Sequence, residues 1–273
     1  METEPEILSY YNEGNEHVRL STRSRLEFLR TQVLLERFLP RPPSRVLDVG
    51  GGSGVYASWL AGLGYDVTLI DPVPLHIEQA RSAGGFQAEP GDVRALPAAD
   101  ESFDAVLLLG PLYHLTDRTD RVRAFAEAAR VVRPGGVVIG AAISRYASLF
   151  DGYFHDFIDL PSFPAILRED LLTGQHRNPD NVPGFFTTAY FHRSDELAAE
   201  LIDGGLELNT VLPVEGPLHW APNFQRRLDD PRQRELILAV LAQFEQDPAA
   251  VAASAHLLAV GHRSNPAGSN PAG

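Results

Sequence analysis

A cluster of glycines at residues 50–54 constrains the fold of this chain more than any other feature of its sequence. The cluster follows Arg45–Val49, an apolar and β-branched segment that is typical of a buried parallel strand. After it, Val55–Leu63 has apolar residues at helical spacing, and Asp66–Ile70 again has the pattern of a strand. The order strand, glycine turn, helix, strand predicts a nucleotide-binding half of an open α/β sheet.

The spacing of these glycines distinguishes between cofactors. Gly50, Gly52 and Gly54 form the pattern G-x-G-x-G, preceded by Asp48, whereas a dinucleotide site favours G-x-G-x-x-G. Asp71 directly follows the second strand, where an acid in such a fold binds a pair of ribose hydroxyls. Since any tight turn can use glycine, the loop alone leaves a purely structural turn open.

Three further segments follow in order: an acidic turn at residues 89–93, an apolar strand at Phe103–Leu109, and Ala128–Gly136, which reads AARVVRPGG. Together with the glycine loop they resemble the motifs of class I S-adenosylmethionine-dependent methyltransferases. The resemblance covers Arg45–Ala142. It implies a Rossmann-like, seven-stranded, mostly parallel sheet with one antiparallel strand and helices on both faces. N-terminal helices and a helical cap insertion are expected to accompany this sheet.

The resemblance also implies which residues hold the methyl donor. The glycine loop and Asp71 would hold S-adenosylmethionine, while Asp92 and Val93 would orient its adenine. In relatives of this fold the N-terminal segment lies across the cofactor as a lid, so Arg19 is expected to pair with the methionine carboxylate. The expected cofactor-binding residues are Arg19, Gly50, Gly52, Gly54, Asp71, Pro72, Asp92, Val93 and Leu109. The spent product would be S-adenosylhomocysteine, and no metal is expected.

The loop after the fourth strand, Leu109–Leu115, is the place where we expect chemistry, because ligands bind at the carboxyl edge of an open α/β sheet. His114 is the titratable group best placed there to act as general base, since imidazole titrates near neutral pH. The alternative, that His114 only orders the loop or contacts the cofactor, stays open. The expected substrate-binding residues are mostly aromatic: Tyr10, Tyr11, Tyr113, His114, Phe150, Tyr153, Phe186 and Trp220.

Other histidines give weaker indications. His76 begins the helix after Asp71 and is expected on the surface or behind the site, while His219 is a candidate for the rim of the pocket. His155 and His176 lack the spacing of a metal site, so no metal ligands are assigned.

The length of 273 residues predicts one domain with an insertion. The predicted segments are N-terminal lid helices at 1–44, the cofactor-binding core at 45–143, an aromatic-rich substrate cap at 144–192, completion of the core sheet at 193–263, and a flexible tail at 264–273. Within them, Val137–Ile143 is predicted as the fifth strand, Asp230–Phe244 as a helix and Ala255–Gly261 as the antiparallel strand.

Composition excludes several classes of chemistry. The chain has no cysteine and no lysine, so disulfides, thiolate nucleophiles, Schiff-base catalysis and a P-loop lysine are all ruled out. Its net charge of −13 argues against a nucleic-acid partner, which requires a positive surface. No apolar run is long enough to span a membrane, and the acidic N-terminus does not resemble a signal peptide. A cytoplasmic monomer or homodimer without membrane contact is expected.

These observations predict a methyltransferase that transfers a methyl group to an O or N atom of a small, hydrophobic or aromatic acceptor. One alternative is a cofactor-binding member of the same fold that does not methylate, such as a cyclase or a partner-organising protein. A nicotinamide-dependent oxidoreductase is a further alternative, which the glycine spacing disfavours.

Overall fold

The computed structural model describes residues 24–178, 182, 185–221 and 224–265. In chain order the strands are β1 (Arg45–Val49), β2 (Asp66–Asp71), β3 (Gln87–Pro90), β4 (Phe103–Leu108), β5 (Val132–Ile143), β6 (Gln175–His176), β7 (Ala189–Tyr190), β8 (Glu207–Pro213) and β9 (His256–His262). Seven of them form one sheet in the order β3-β2-β1-β4-β5-β9-β8, and β6 pairs with β7 in a separate ribbon. Within the seven-stranded sheet, β9 runs in the opposite direction to the other six strands. The predicted fold class is therefore confirmed.

Helices cover both faces of this sheet. In chain order they are α1 (Arg25–Phe38), α2 (Val55–Gly62), α3 (Pro74–Ala83), α4 (Arg118–Val131), α5 (Ala147–Phe154), α6 (Phe163–Thr173), α7 (Ser194–Asp203), α8 (Phe224–Asp229), α9 (Pro231–Phe244) and α10 (Pro248–Ala252). Apolar residues of α4, α7 and α10 pack on one face of the sheet, and those of α1, α2 and α3 pack on the other. The result is a three-layer arrangement in which alternate side chains of each strand enter opposite cores.

Strand β5 is longer than its apolar pattern indicates. The sequence predicts its start at Val137, whereas the strand begins at Val132 and includes the Pro-Gly-Gly turn. A register shift against β4 accommodates these additional residues. Gly135 has φ +74° and donates its N–H to the carbonyl of Arg263 at 2.9 Å, so the turn pairs with the end of β9 instead of leaving the sheet.

The predicted cap region, residues 144–192, contains α5, α6, a short 3₁₀ turn at Phe157–Asp159 and the β6–β7 ribbon. Its own apolar cluster is centred on the buried side chains of Phe163, Leu167 and Phe185. The region is therefore less regular than the helical insertion that the sequence predicts.

Buried ion pairs connect the cap region to the core. Arg121 on α4 binds Glu200 on α7 at 2.8 Å, and the same carboxylate lies 3.1 Å from Nε2 of His192. Arg145, which follows β5, binds Glu196 at 2.6 Å. These contacts fix the two ends of the cap region against α7.

The predicted lid at 1–44 is described only from residue 24 onward. Its helix α1 is attached to the residues after α9, because Glu245 accepts hydrogen bonds from both Arg30 and Arg37. Within the described part of the chain, no helix is both long enough and apolar enough to span a bilayer.

Candidate active site

The glycine loop joins β1 to α2 and brings the backbone close to its neighbours. Gly50 has φ +67°, and a Cβ at this position would lie only 2.9 Å from the ring of Pro111. Gly54 has φ +85°, and a Cβ there would meet the ring of Phe86 at 2.5 Å. Both positions therefore require glycine, because each has a positive φ and neither has room for a Cβ atom.

Asp71 at the end of β2 is held in place by three donors. It accepts the backbone N–H groups of Gly52 and Val73, each at 2.9 Å. Nδ1 of His76 lies 3.0 Å from the same carboxylate, and both side chains are buried. His76 is therefore buried beside Asp71 and not on the surface, and it both orients the acid and lines the cavity next to it.

Asp48 is a buried acid whose carboxylate oxygens have no hydrogen-bond partner among the described residues. Burial raises its pKa to about 7, and the nearby charge of Asp71 adds to this effect. An unpartnered carboxyl group is costly in a protein interior, and a cationic ligand would compensate for that cost.

These groups surround a donor cavity of about 310 Å³ at the carboxyl ends of β1, β2 and β4. The predicted residues that line it are Gly50, Gly52, Asp71, Pro72, Asp92, Val93, Leu109, Tyr113 and His114. Gly54 is not among the lining residues, because its position at the start of α2 faces Phe86. Arg19 lies outside the described residues.

Asp92 lines the donor cavity as an ionised group. Burial opposes its ionisation, but hydrogen bonds from Arg94 outweigh that penalty and lower the pKa of the carboxyl. Arg94 also binds Asp120 at 3.0 Å, so the acid at this turn is fixed by an ion-paired network. Val93, the next residue, is buried beside it.

A second cavity of about 260 Å³, the acceptor cavity, lies next to the first and is lined largely by aromatic rings. Its aromatic walls are Tyr113, Phe157, Phe163, Phe185, Phe186, Phe191 and Trp220. The polar groups around it include Ser148, Asp151, His176 and His219. Two residues of the described chain, Tyr113 and His256, line both cavities.

The predicted substrate-binding residues fall into three groups. Tyr113, Phe186 and Trp220 line the acceptor cavity. Phe150 lines neither cavity and supports the wall instead, with its ring centroid 5.2 Å from that of Trp220. Tyr153 is 64% exposed on the far side of α5 and also lines neither cavity, because the helix turns its buried face elsewhere. Tyr10 and Tyr11 lie outside the described residues.

Comparison with known proteins agrees with this geometry. A family model described as a methyltransferase domain matches residues 47–140. A ubiquinone biosynthesis O-methyltransferase from Methylocella silvestris is 38% identical over 122 residues, which are 42% of this chain and 46% of that protein. The chain therefore spans less than half the length of this curated relative.

Two solved structures share the fold over most of the chain. One is an S-adenosylmethionine-dependent methyltransferase from Methanosarcina mazei, with a TM-score of 0.59 and 17% identity, covering 85% of this chain and 98% of that one. The other is the 4+2 cyclase SpnF, with a TM-score of 0.54 and 17% identity, covering 88% of this chain and 82% of that one. At such identities these likenesses show the fold alone.

Residues 47–140 thus match a methyltransferase domain, and the sheet has the fold of class I S-adenosylmethionine-dependent methyltransferases. The donor cavity fits the family's cofactor in three respects. Its glycine loop keeps side chains away from the ligand, Asp71 is an oriented acceptor, and Asp48 is a buried carboxyl group without a partner in the described chain. S-Adenosylmethionine carries an ammonium group that such a carboxyl group can bind.

His114 lies in the wall of the donor cavity. Burial lowers its pKa to about 4, so the imidazole is neutral at pH 7. Its Nδ1 lies 3.5 Å from the carbonyl oxygen of Thr188, and its ring lies beside those of Tyr113 and Phe186, with centroids at 4.7 and 5.7 Å. The role of His114 as a general base stays a prediction.

His256 and Glu215 are site residues that the sequence reasoning missed. His256 is the first residue of β9 and pairs with Ile143, the last residue of β5. Because β9 is antiparallel, its first residue lies at the same edge as the last residues of the parallel strands. The available signal was a histidine at the start of the predicted antiparallel strand, which places it at the ligand-binding edge.

Proposed function

We propose that this chain is a methyltransferase that transfers a methyl group from S-adenosylmethionine to an oxygen or nitrogen atom of a small aromatic or otherwise apolar molecule. The observation that carries the proposal is the pair of adjoining cavities. One carries the donor-binding features of the family, the other is lined by aromatic rings, and Tyr113 and His256 belong to both.

The donor cavity assigns a separate task to each group. Backbone N–H groups of the glycine loop and the oriented carboxylate of Asp71 would bind the sugar, while Val93 and the fixed turn around Asp92 would bind the adenine. The carboxyl group of Asp48 would bind the ammonium group. Bound S-adenosylmethionine would supply an activated methyl group on a positively charged sulfur, so the protein contributes mainly by aligning the acceptor with it.

The acceptor cavity favours an apolar, planar molecule. Its rings exclude water and provide flat surfaces for stacking, as in most small-molecule sites. The name of the Methylocella silvestris relative, an O-methyltransferase, supports oxygen as the acceptor atom. The net charge of −13 supports a small molecule over a nucleic acid. A cytoplasmic location and a monomeric or homodimeric state stay predictions from the sequence.

The first experiment measures cofactor binding and label transfer together. S-Adenosylhomocysteine should raise the melting temperature of the protein, and NADH should not. Radioactive methyl groups from the labelled donor should then appear on members of a panel of phenols and aromatic amines. Stabilisation by NADH alone would favour an oxidoreductase. Binding of the donor without transfer to any of these acceptors would favour the cyclase or partner-organising alternative.

A separate measurement tests His114. If it is the general base, His114→Ala should lower kcat by more than about tenfold. The alternative is that His114 only orders the loop or contacts the cofactor. In that case kcat should fall by less than about tenfold, and the pH profile of kcat should not change.

A further inference from the structure

We propose that His256, oriented by Glu215, is the general base that removes the proton from a hydroxyl or phenol acceptor. The proposal rests on the proposed function. It names the residue that would allow the enzyme to methylate acceptors that carry an O–H group. His256 would be the catalytic residue, and Glu215 would be a positioning residue.

The two side chains form a tightly held pair. Oε1 of Glu215 lies 2.5 Å from Nδ1 of His256, and Oε2 accepts the backbone N–H of His256 at 3.0 Å. Glu215 is 1% exposed, and Oγ of the buried Ser254 lies 3.2 Å from its Oε2. The carboxylate therefore contacts both the ring and the main chain of one residue, which fixes the orientation of the imidazole.

This pairing assigns the basic nitrogen. A neutral imidazole that donates its Nδ1–H to a carboxylate carries its lone pair on Nε2. The same logic applies in the Ser-His-Asp triad, where an acid behind the ring fixes the tautomer and stabilises the imidazolium that forms. Glu215 is suited to this task, because its electrostatic interaction and hydrogen bond with the His256 ring outweigh the effect of burial and lower the pKa of the acid.

The position of His256 distinguishes it from the other histidines and the carboxylic acids of the site. It lines both the donor and the acceptor cavity, whereas His114 lines only the donor cavity, and Asp151 and His219 line only the acceptor cavity. His176 is held at both ring nitrogens, by Asp170 at 2.9 Å and by the carbonyl oxygen of Phe186 at 3.2 Å. Among the described histidines and carboxylic acids, His256 is therefore the one that borders the region where donor and acceptor would meet.

The proposed step is balanced in atoms and charge. The acceptor O–H proton moves to Nε2 of His256, and the oxygen forms a bond to the methyl carbon. The bond between that carbon and sulfur breaks, and its electron pair stays on sulfur to give neutral S-adenosylhomocysteine. The positive charge lost by sulfur is thereby matched by the charge gained on the imidazolium, which Glu215 stabilises.

Two phenols test this assignment in the full chain. 4-Methylphenol is protonated at mildly alkaline pH and needs a base, whereas 4-nitrophenol is already largely ionised there. His256→Ala should lower kcat by about 100-fold or more with 4-methylphenol and by less than about fivefold with 4-nitrophenol. Glu215→Gln should give the same pattern with a smaller loss, and added imidazole should partly restore His256→Ala. His262→Ala is the matched control, since this histidine lies at the opposite end of β9 and lines neither cavity.

Each other outcome has a definite meaning. Equal losses on both phenols, with S-adenosylhomocysteine binding intact by calorimetry, would overturn the base assignment and leave the proposed function standing. A wild-type protein that methylates neither phenol would count against the proposed function itself, at least for phenolic acceptors.

A metal-dependent mechanism is the remaining competitor. Ligand atoms of Glu27, Glu215 and His256 lie within 4.8 Å of one another, close enough to share a cation. Activity on both phenols that is lost after treatment with EDTA and restored by Mg²⁺ would overturn the proposal. Unchanged activity after that treatment is the expected result.

Discussion

Asp48 shows at the scale of one residue how the donor cavity is prepared for a positive charge. Its carboxyl group is fully buried beneath the glycine loop, where a Cβ on Gly51 would lie 2.6 Å from one of its oxygens. Burial first, and the charge of Asp71 second, raise its pKa from 3.8 to about 7. The ligand-free protein therefore keeps at neutral pH a carboxyl group that is only partly ionised.

This raised pKa makes stability depend on pH in a predictable direction. Between about pH 4 and pH 7 the unfolded chain has lost the Asp48 proton while the folded chain keeps it, so stability falls as pH rises through this window. Asp48→Asn should remove this dependence, stabilising the ligand-free protein at pH 8 but not at pH 4, and it should weaken binding of S-adenosylhomocysteine.

Urea unfolding at the two pH values and calorimetric titration measure these effects. The matched control is Asp66→Asn, because Asp66 is an exposed acid at the opposite end of the neighbouring strand. A mutant protein that keeps the wild-type pH dependence would show that the ionisation of Asp48 is not its source.

At the scale of single residues, positions named from neighbouring motifs lie together in the structure. Gly50, Gly52 and Asp71, predicted from their spacing, and Val93, implied by the family resemblance, all line the donor cavity, and their roles toward the cofactor stay predictions. His256 could not be named in this way, because its place depends on the pairing of β9 with β5, which are far apart in the chain. Tyr153 lies away from both cavities for a related reason: the aromatic content of α5 does not say which of its faces is buried.

At the scale of elements, two ion pairs connect the same helices in different surroundings. Arg121 and Glu200 join α4 to α7 at 2.8 Å with both side chains buried. Arg118 and Asp203 join the same helices one turn away, with both side chains more than half exposed. Because both pairs join the same helices, comparing their contributions to the free energy of unfolding shows how much of the contribution depends on burial.

Glu200→Gln should destabilise the protein by about 3–5 kcal/mol, because it leaves the buried charge of Arg121 without its carboxylate. Asp203→Asn should cost less than about 1 kcal/mol, since water screens an exposed pair. Urea unfolding at neutral pH gives both values. Equal effects of the two substitutions would show that the buried pair does not stabilise the contact between α4 and α7.

Element boundaries could be predicted where a helix or strand is uniformly apolar on one face. Helix α9 begins at Pro231, with Asp230 as its N-cap, close to the predicted limits of Asp230–Phe244. Strand β5 extended five residues beyond its apolar run, because main-chain pairing with β9 does not require apolar side chains. The cap region departed further, since the pairing of β6 with β7 joins residues 13 to 15 positions apart and is not visible in the local apolar pattern.

At the scale of the whole molecule, the two cavities share a wall. Tyr113 comes from the loop after β4 and His256 from the start of β9, so elements distant in sequence form this common boundary. A ligand bound in one cavity would restrict the motion of Tyr113 and His256. A second ligand in the other cavity would then lose less conformational entropy on binding.

We therefore expect S-adenosylhomocysteine to tighten the binding of 4-methylphenol by about fivefold or more. 4-Methylphenol should tighten the binding of S-adenosylhomocysteine by the same factor. Trp220 lines the acceptor cavity and provides a fluorescence signal, and Trp59→Phe would leave it as the single tryptophan. Phenol titrations with and without S-adenosylhomocysteine measure the coupling. Identical affinities in the two titrations would show that the cavities bind independently.

The antiparallel direction of β9 has a consequence beyond the architecture of the sheet. Side chains alternate between the two faces of a strand, so sliding β9 by one position against β5 would replace the imidazole at this edge with an apolar side chain. The hydrogen bonds between β5 and β9 thus set the location of the imidazole that we propose as the general base. Substitutions that weaken the pairing of β5 with β9 would therefore abolish turnover, even if no residue that lines either cavity were changed.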